Sequence, residues 1–215
     1  MDLLKDFLDL FLHLDRHLSE LIARYGTSTY AILFLIIFCE TGLVVTPFLP
    51  GDSLLFAAGT FAGIGALDPA LLFLLLFAGA VGGDSTNYWI GRYIGPRAFS
   101  GTIRFLRREY LDRTREFYAR HGRKTVILAR FLPILRTFAP FVAGVGQMPY
   151  PRFLWMSLIG SVAWVGLFVG AGYFFGNLPA VRDHFSLVVM GIIAVSLLPM
   201  AVEGFKSWQA SRGKR

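Results

Sequence analysis

Phe38-Cys39-Glu40-Thr41-Gly42-Leu43-Val44-Val45-Thr46-Pro47-Phe48-Leu49-Pro50-Gly51-Asp52 is apolar enough to enter a bilayer, yet it carries acids and helix breakers. A later segment has the opposite charge: Ala129-Arg130-Phe131-Leu132-Pro133-Ile134-Leu135-Arg136-Thr137-Phe138-Ala139-Pro140. A charged side chain at the bilayer centre costs about 2.5–3.5 kcal/mol on insertion scales. Glu40, Asp52, Arg130 and Arg136 therefore need partners, water or a substrate. Proline and glycine break helices and expose backbone, which lipid does not tolerate. Both segments belong against protein or along a wet cavity, where transporters hold their cargo.

Composition sets the surroundings of these segments. Of 215 residues, 55% are hydrophobic and 16% charged, which excludes an ordinary soluble domain and predicts one polytopic, all-α membrane domain. The single cysteine, Cys39, excludes a disulfide within the chain and gives no metal site. The first 25 residues lack the basic start, unbroken apolar core and small-residue cleavage site of a signal peptide.

The net charge is +7, and residues 92–124 hold ten Arg/Lys against three acids. Apolar segments bracket this stretch, so positive-inside topology explains it and nucleic acid is not an expected partner. The C-terminal Lys206, Arg212, Lys214 and Arg215 are likewise expected inside.

Working outward, residues 2–24 read as an amphipathic helix (the 1–25 segment) with five acids against three bases. It is expected to lie flat on the membrane or to cap the bundle. His13 and His17 have helical spacing but no third ligand nearby, so a solvated face is the default. Residues 28–66 divide into two arms of about 11–13 residues, each too short for a ~30 Å core. A re-entrant hairpin with its apex near Pro47–Gly51 fits; two kinked full spans are the alternative. Residues 69–91 form a span, 96–121 a basic cytoplasmic helix and 125–147 the second broken segment. Residues 151–176 and 184–202 complete the set of about three spans.

Gly79, Gly91 and Gly95 match Gly160, Gly172 and Gly176 at a constant offset of 81, and Phe48-Leu49-Pro50 matches Phe131-Leu132-Pro133 at nearly that offset. Each half (28–91 and 125–176) is then a hairpin plus a span. The charge topology orients the halves oppositely, an inverted repeat.

Glu40 sits in an apolar arm, where burial disfavours the charged carboxylate and suits it to exchange a proton. The alternative is a static pair with an arginine. Asp52 follows Pro50-Gly51 and reads as an N-cap of the returning half-helix. Arg130 and Arg136 flank Pro133, whose break lets side chains about 120° apart on a regular helix converge on an anion. Pairing with the acids is the alternative. Asp84, Asn87, Tyr88 and Arg92 line the path, pair with a hairpin arginine or serve as polar glue. Gly42, Gly51, Gly91 and Gly144 are expected where helices approach closely. No hydrolase, zinc-protease or nucleotide-binding signature appears, so the chain reads as a non-enzyme without a cofactor.

Three motifs in order carry a resemblance: Phe38-x-Glu40-Thr41-Gly42 running on to Pro47-Phe48-Leu49-Pro50-Gly51-Asp52-Ser53-Leu54-Leu55; Gly83-Asp84-x-x-x-Tyr88-x-x-Gly91-Arg92-x-x-Gly95; and Arg130-Phe131-x-Pro133-x-x-Arg136-Thr137 followed by Ala143-Gly144 and Met148. Over about residues 30–176 the chain resembles the DedA family, also called SNARE-associated or VTT-domain membrane proteins. The resemblance implies lipid translocation linked to the proton motive force. Bacterial members recycle undecaprenyl phosphate or move phospholipids, and eukaryotic relatives act as scramblases. The family's functional acids and arginines map onto Glu40, Asp52, Arg130 and Arg136.

Three readings follow. One is a flippase of an anionic lipid phosphate in a bacterial cytoplasmic membrane, C-terminus inside, with phosphate on the arginines and its release linked to protonation of Glu40 and Asp52. The second is a proton-coupled antiporter of small cations or drugs. The third is a structural membrane organiser whose charges are internal salt bridges.

Overall fold

The computed structural model describes residues 14–43, 51–98, 130 and 133–196. Every described element is helical: α1 Leu14–Tyr25, α2 Ser28–Gly42, α3 Gly51–Gly63, α4 Pro69–Ala98, α5 Pro133–Val145, α6 Tyr150–Phe175, α7 Pro179–Arg182 and α8 Phe185–Ser196. Residues 2–13, the apex residues 44–50 with Pro50 among them, most of the expected basic helix, the first arm of the second broken segment and residues 197–202 lie outside the described residues.

α1 is amphipathic, as its spacing predicts. Leu14 and Leu18 are buried, while Asp15 in the first turn and Arg24 in the last oppose the helix dipole. Gly26 ends it in the left-handed region, φ +51°, with its N–H donating to the Ile22 carbonyl. α2 is different: it is apolar on every side, and the hydroxyl of Thr41 donates to the Ile37 carbonyl at 2.9 Å. α4 starts where Asp68 caps it, accepting from the Leu71 N–H at 2.7 Å, with Pro69 in the first turn. The Tyr30 hydroxyl accepts from the Asp68 N–H and ties this start to α2.

The helix beginning at Pro69 does not stop near residue 91. It runs 30 residues to Ala98, about 45 Å, through Gly91 and Gly95 and into the first residues of the expected basic helix. Gly91 lies inside it where α5 packs closely, as expected: a Cβ there would strike the Phe141 carbonyl. α4 and α6 are each long and apolar enough to cross a membrane. Leu74, Trp155, Phe174, Leu187 and Val195 are large apolar side chains exposed on α4, α6 and α8. Lipid is the solvent that accepts such a surface.

Contacts fix the helix directions. Gly79 lies against Phe34 and Gly83 against Thr41, so α2 and α4 run the same way. Asn87 reaches Thr137 and Gly91 reaches Phe141, so α5 runs with them. Ser157 reaches Asp84 while Gly166 lies against Phe73, so α6 runs opposite to α4. α3 follows α6. α3 packs on α6, and α5 packs on α4. The contact chemistry repeats too. A Cβ at Gly59 would strike the Val169 carbonyl and one at Gly144 the Tyr88 carbonyl; a Cβ at Gly172 would strike the Phe56 carbonyl, as Gly91 does with Phe141.

Candidate functional site

The end of α2, the start of α3, the start of α5 and the middle of α4 and α6 converge on one buried polar cluster. Arg136 on α5 forks across the α2–α3 junction. Its Nη1 donates to Asp52 Oδ1 at 2.8 Å, and its Nη2 donates to Glu40 Oε1. Glu40 Oε1 also accepts the Gly51 N–H at 3.0 Å. A carboxylate from α2 thus serves the first N–H of α3, and a side chain at Gly51 would overlap it. This corrects the capping role expected of Asp52. Helix α3 begins at Gly51, so Asp52 lies inside its first turn and turns its oxygens to side chains. Oδ1 accepts from Trp164 Nε1 at 2.7 Å as well as from Arg136, and Oδ2 accepts from Ser196 Oγ at 2.7 Å.

Arg130 does not join the Glu40–Asp52 pair. Its Nη1 donates to Asp84 Oδ2 at 2.5 Å and to the Ser157 carbonyl at 3.4 Å, and Ser157 Oγ donates to the same Asp84 oxygen at 2.6 Å. Trp164 joins the two halves of the cluster. Its ring centroid lies 4.5 Å from the Arg136 guanidinium carbon and 5.7 Å from that of Arg130. Glu40, Asp84, Arg130, Arg136 and Trp164 are buried, with Asp52 only slightly exposed.

Two properties of this cluster bear on chemistry. First, among the described residues two guanidinium groups face three carboxylates, so one proton balances their charge. Second, the cluster keeps spare hydrogen-bonding capacity. Among the described residues, Arg130 Nε and Nη2, Arg136 Nε, Ser161 Oγ, Glu40 Oε2 and Asp84 Oδ1 are buried without a partner. An unmet buried polar group costs about 1–3 kcal/mol, more when charged. Such atoms in one place point to a ligand or a proton.

The remaining expected residues have a separate task. Tyr88 donates its hydroxyl to the Met148 carbonyl, and Arg92 Nη1 donates to the Tyr88 oxygen at 2.8 Å and to Met148 at 3.4 Å. They latch the α5–α6 turn, where Gln147 takes φ +56°. Tyr88 also stacks on Phe153, with ring centroids 4.6 Å apart. Asn87 holds α2 and α5 together through the carbonyls of Thr41 and Thr137. Pro133 begins α5 between the two arginines. Gly42 lies against the Gly83 backbone. No group of three metal-ligating side chains occurs among the described residues.

Trp164, Ser157, Ser161 and Ser196 are site residues that sequence reasoning missed. The one available signal was the indole N–H of Trp164, a donor in mid-span that needs an acceptor. The Trp164→Phe variant keeps a ring against the guanidinium groups and removes the bond to Asp52. It is expected to cost about 1.5–3 kcal/mol, the value of a hydrogen bond to a charged group. Trp164→Leu also removes the aromatic face and leaves a cavity, for about 3–5 kcal/mol in all. Thermal unfolding of the purified variants in detergent, with equal losses for both, would reject this ordering.

Comparison with known proteins adds to the geometry. The VTT domain model matches residues 49–174. The chain is 54% identical to Protein DedA of Escherichia coli K12 over 206 residues, 94% of each chain. It is 43% identical over 187 residues to an uncharacterised membrane protein of Mycobacterium leprae, covering 86% of this chain and 84% of that one. It is 32% identical over 178 residues to inner membrane protein YghB of Escherichia coli K12, 81% of each. No solved structure matches the chain.

Proposed function

The chain belongs to the DedA family of VTT-domain membrane proteins, and from that premise we propose that it is a proton-coupled flippase of an anionic lipid phosphate such as undecaprenyl phosphate or a phospholipid. The observation that carries this reading is the set of unpartnered, buried guanidinium nitrogens on Arg130 and Arg136. Guanidinium groups bind phosphate oxygens with two parallel bonds. Ser161 Oγ, also unpartnered, is a further donor on α6.

The ion pairs supply the coupling. Without cargo, Glu40 and Asp52 hold Arg136, and Asp84 holds Arg130. An arriving phosphate adds negative charge to a cluster that already has an anion in excess. A proton on Glu40 compensates for it and frees Arg136 Nη2 for the phosphate; loss of that proton restores the pair and displaces the cargo, so that release follows deprotonation, the reverse of the order expected from the sequence. The unpartnered Glu40 Oε2 is the seat for the proton. The acyl chain stays outside. A groove of about 610 Å³ lined by Ser85, Thr86, Trp89, Ile90, Tyr93 and Ile94 runs along the outer side of α4 and suits a hydrocarbon chain. A small-cation antiporter is less well supported, because all three carboxylates already accept from arginine. Paired charges alone, as in an organiser, leave the spare donors without a use.

The same reading treats the fold as an inverted repeat of a re-entrant hairpin and a span. It rests on the opposed directions of α4 and α6 and on the exchanged glycine contacts. The same reading puts the chain in the bacterial inner membrane as a multi-pass protein with a cytoplasmic C-terminus, in keeping with its likeness to inner membrane protein YghB and with its basic tail. Cysteine accessibility at Phe48 and Ile134 is expected to report opposite entry faces; labelling from one side only rejects the repeat. The function is tested in proteoliposomes loaded with undecaprenyl phosphate or phosphatidylglycerol. Transbilayer movement is expected to rise when a proton gradient is imposed. Movement equal to that of protein-free vesicles under both conditions refutes the flippase.

A further inference from the structure

A second cavity lies at the far end of α3. It measures about 500 Å³ and is walled by Asp15, Arg16, Ser19 and Glu20 of α1, by Thr60 and Phe61 of α3, by Ile64 in the turn after it, by Gly176 and Asn177 after α6, by Arg182 of α7 and by Phe185 of α8. That volume is within the usual range for small-molecule sites. Thr60 is eight residues after Asp52, about 12 Å along the helix axis. The cavity is therefore separate from the central cluster. It sits where helix α6 ends.

The walls are built and held. Leu14 and Leu18 bury one side of α1, which turns Asp15, Arg16, Ser19 and Glu20 toward the cavity on the flank. Asn177 Nδ2 donates to the Thr60 carbonyl at 3.0 Å and fixes the turn after α6 to α3. Phe56 packs on Phe185 with ring centroids 5.9 Å apart, which anchors the start of α8. The apolar part of the lining is Phe61, Ile64 and Phe185.

The charge pattern selects the ligand. Two carboxylates and two guanidinium groups share the cavity, on α1 and on α7. Among the described residues none of these four joins an ion pair. A simple anion meets two opposing carboxylates, and a simple cation meets two opposing guanidinium groups. A ligand with both signs satisfies both. We infer that this cavity binds a phosphate–ammonium zwitterion, with the phosphate on Arg16 and Arg182, the ammonium on Asp15 and Glu20, and adjoining carbon against Phe61, Ile64 and Phe185. This contrasts with the central cluster, whose spare buried donors are mostly cationic. The inference does not depend on lipid transport.

The zwitterion has two sources, a membrane phospholipid or a free phosphoethanolamine compound, and two arms separate them. In the first, the full-length protein is placed in nanodiscs of phosphatidylglycerol with or without phosphatidylethanolamine, and retained lipid is counted by native mass spectrometry. In the second, soluble glycerophosphoethanolamine is titrated calorimetrically into protein in phosphatidylglycerol nanodiscs. Arg182→Gln and Glu20→Gln change exposed side chains, and thermal unfolding checks that both variants fold. Preferential retention of phosphatidylethanolamine is expected, reduced about tenfold by either variant, as for the loss of one charge-assisted contact. Soluble binding with the same variant sensitivity identifies the free compound as sufficient; retention without soluble binding identifies the lipid. Equal retention of both lipids with no soluble binding overturns the proposal, as does zwitterion binding that neither variant weakens.

Discussion

Arg136→Lys is expected to abolish proton-driven lipid-phosphate movement and to lower stability, whereas Arg130→Lys is expected to impair movement while leaving stability nearly intact. The asymmetry comes from the two hydrogen-bond sets. Arg136 uses separate nitrogens for two acids on two helices, Nη1 for Asp52 and Nη2 for Glu40. A lysine ammonium is a point donor on a flexible stem and cannot span both in the planar geometry of the fork. Leaving one buried carboxylate unpaired costs about 3–5 kcal/mol. Arg130 spends only Nη1 on protein partners, Asp84 and the Ser157 carbonyl, and one ammonium can replace that. Lysine does lose the free Nε and Nη2 of Arg130, which are the groups proposed to hold phosphate. A loss of movement on the order of tenfold or more is expected for each variant, that of a missing charge-assisted contact. The measurement is transbilayer movement in proteoliposomes at fixed pH and ionic strength, with thermal unfolding in parallel. Wild-type movement in both lysine variants would favour the antiporter, whose arginines only tune the acids.

The same pair shows how far the sequence could be read. Glu40, Asp52, Arg130 and Arg136 were legible because a charge in an apolar run is costly, whatever surrounds it. Their pairing was legible only in part. A pair between Asp84 and one of the arginines was among the readings, and Arg130 makes it, while Arg136 meets both acids at the α2–α3 junction. Trp164 and the serines around it looked like ordinary span residues, since hydroxyls and indoles are common there and reveal a role only when an acceptor is in place. Gly91 was legible as a close approach and α5 packs there against its backbone, but the end of the span, expected near residue 91, was not: α4 runs on to Ala98. The expected cap at Asp52 failed because the carboxylate that serves the α3 N-terminus comes from Glu40, eleven residues earlier.

Glu40→Gln is expected to yield a folded protein whose lipid-phosphate movement no longer responds to a proton gradient. The glutamine carbonyl can take the place of Oε1 and accept from the Gly51 N–H, while its weaker, neutral contact leaves Arg136 Nη2 free for phosphate. Its amide group then occupies the position of Oε2, which has no partner in the wild type. The substitution fixes the cluster in the charge state of a protonated Glu40, with two guanidinium groups against the carboxylates of Asp52 and Asp84. On the proposed cycle, that state binds phosphate and cannot expel it by losing a proton. Net proton-driven movement is therefore lost, on the order of tenfold or more, while phosphate binding persists. Glu40→Asp keeps a titrating carboxylate on a stem one methylene shorter and is expected to retain part of the response, with weaker contact to Arg136. A role limited to pairing forecasts the opposite: Glu40→Gln, having exchanged an ion pair for a neutral bond, loses thermal stability but keeps the gradient response. The two are separated by measuring movement with and without an imposed gradient alongside the unfolding midpoint. A stable glutamine variant that responds to the gradient as the wild type does would remove Glu40 from the coupling and leave Asp52 or Asp84 to carry the proton.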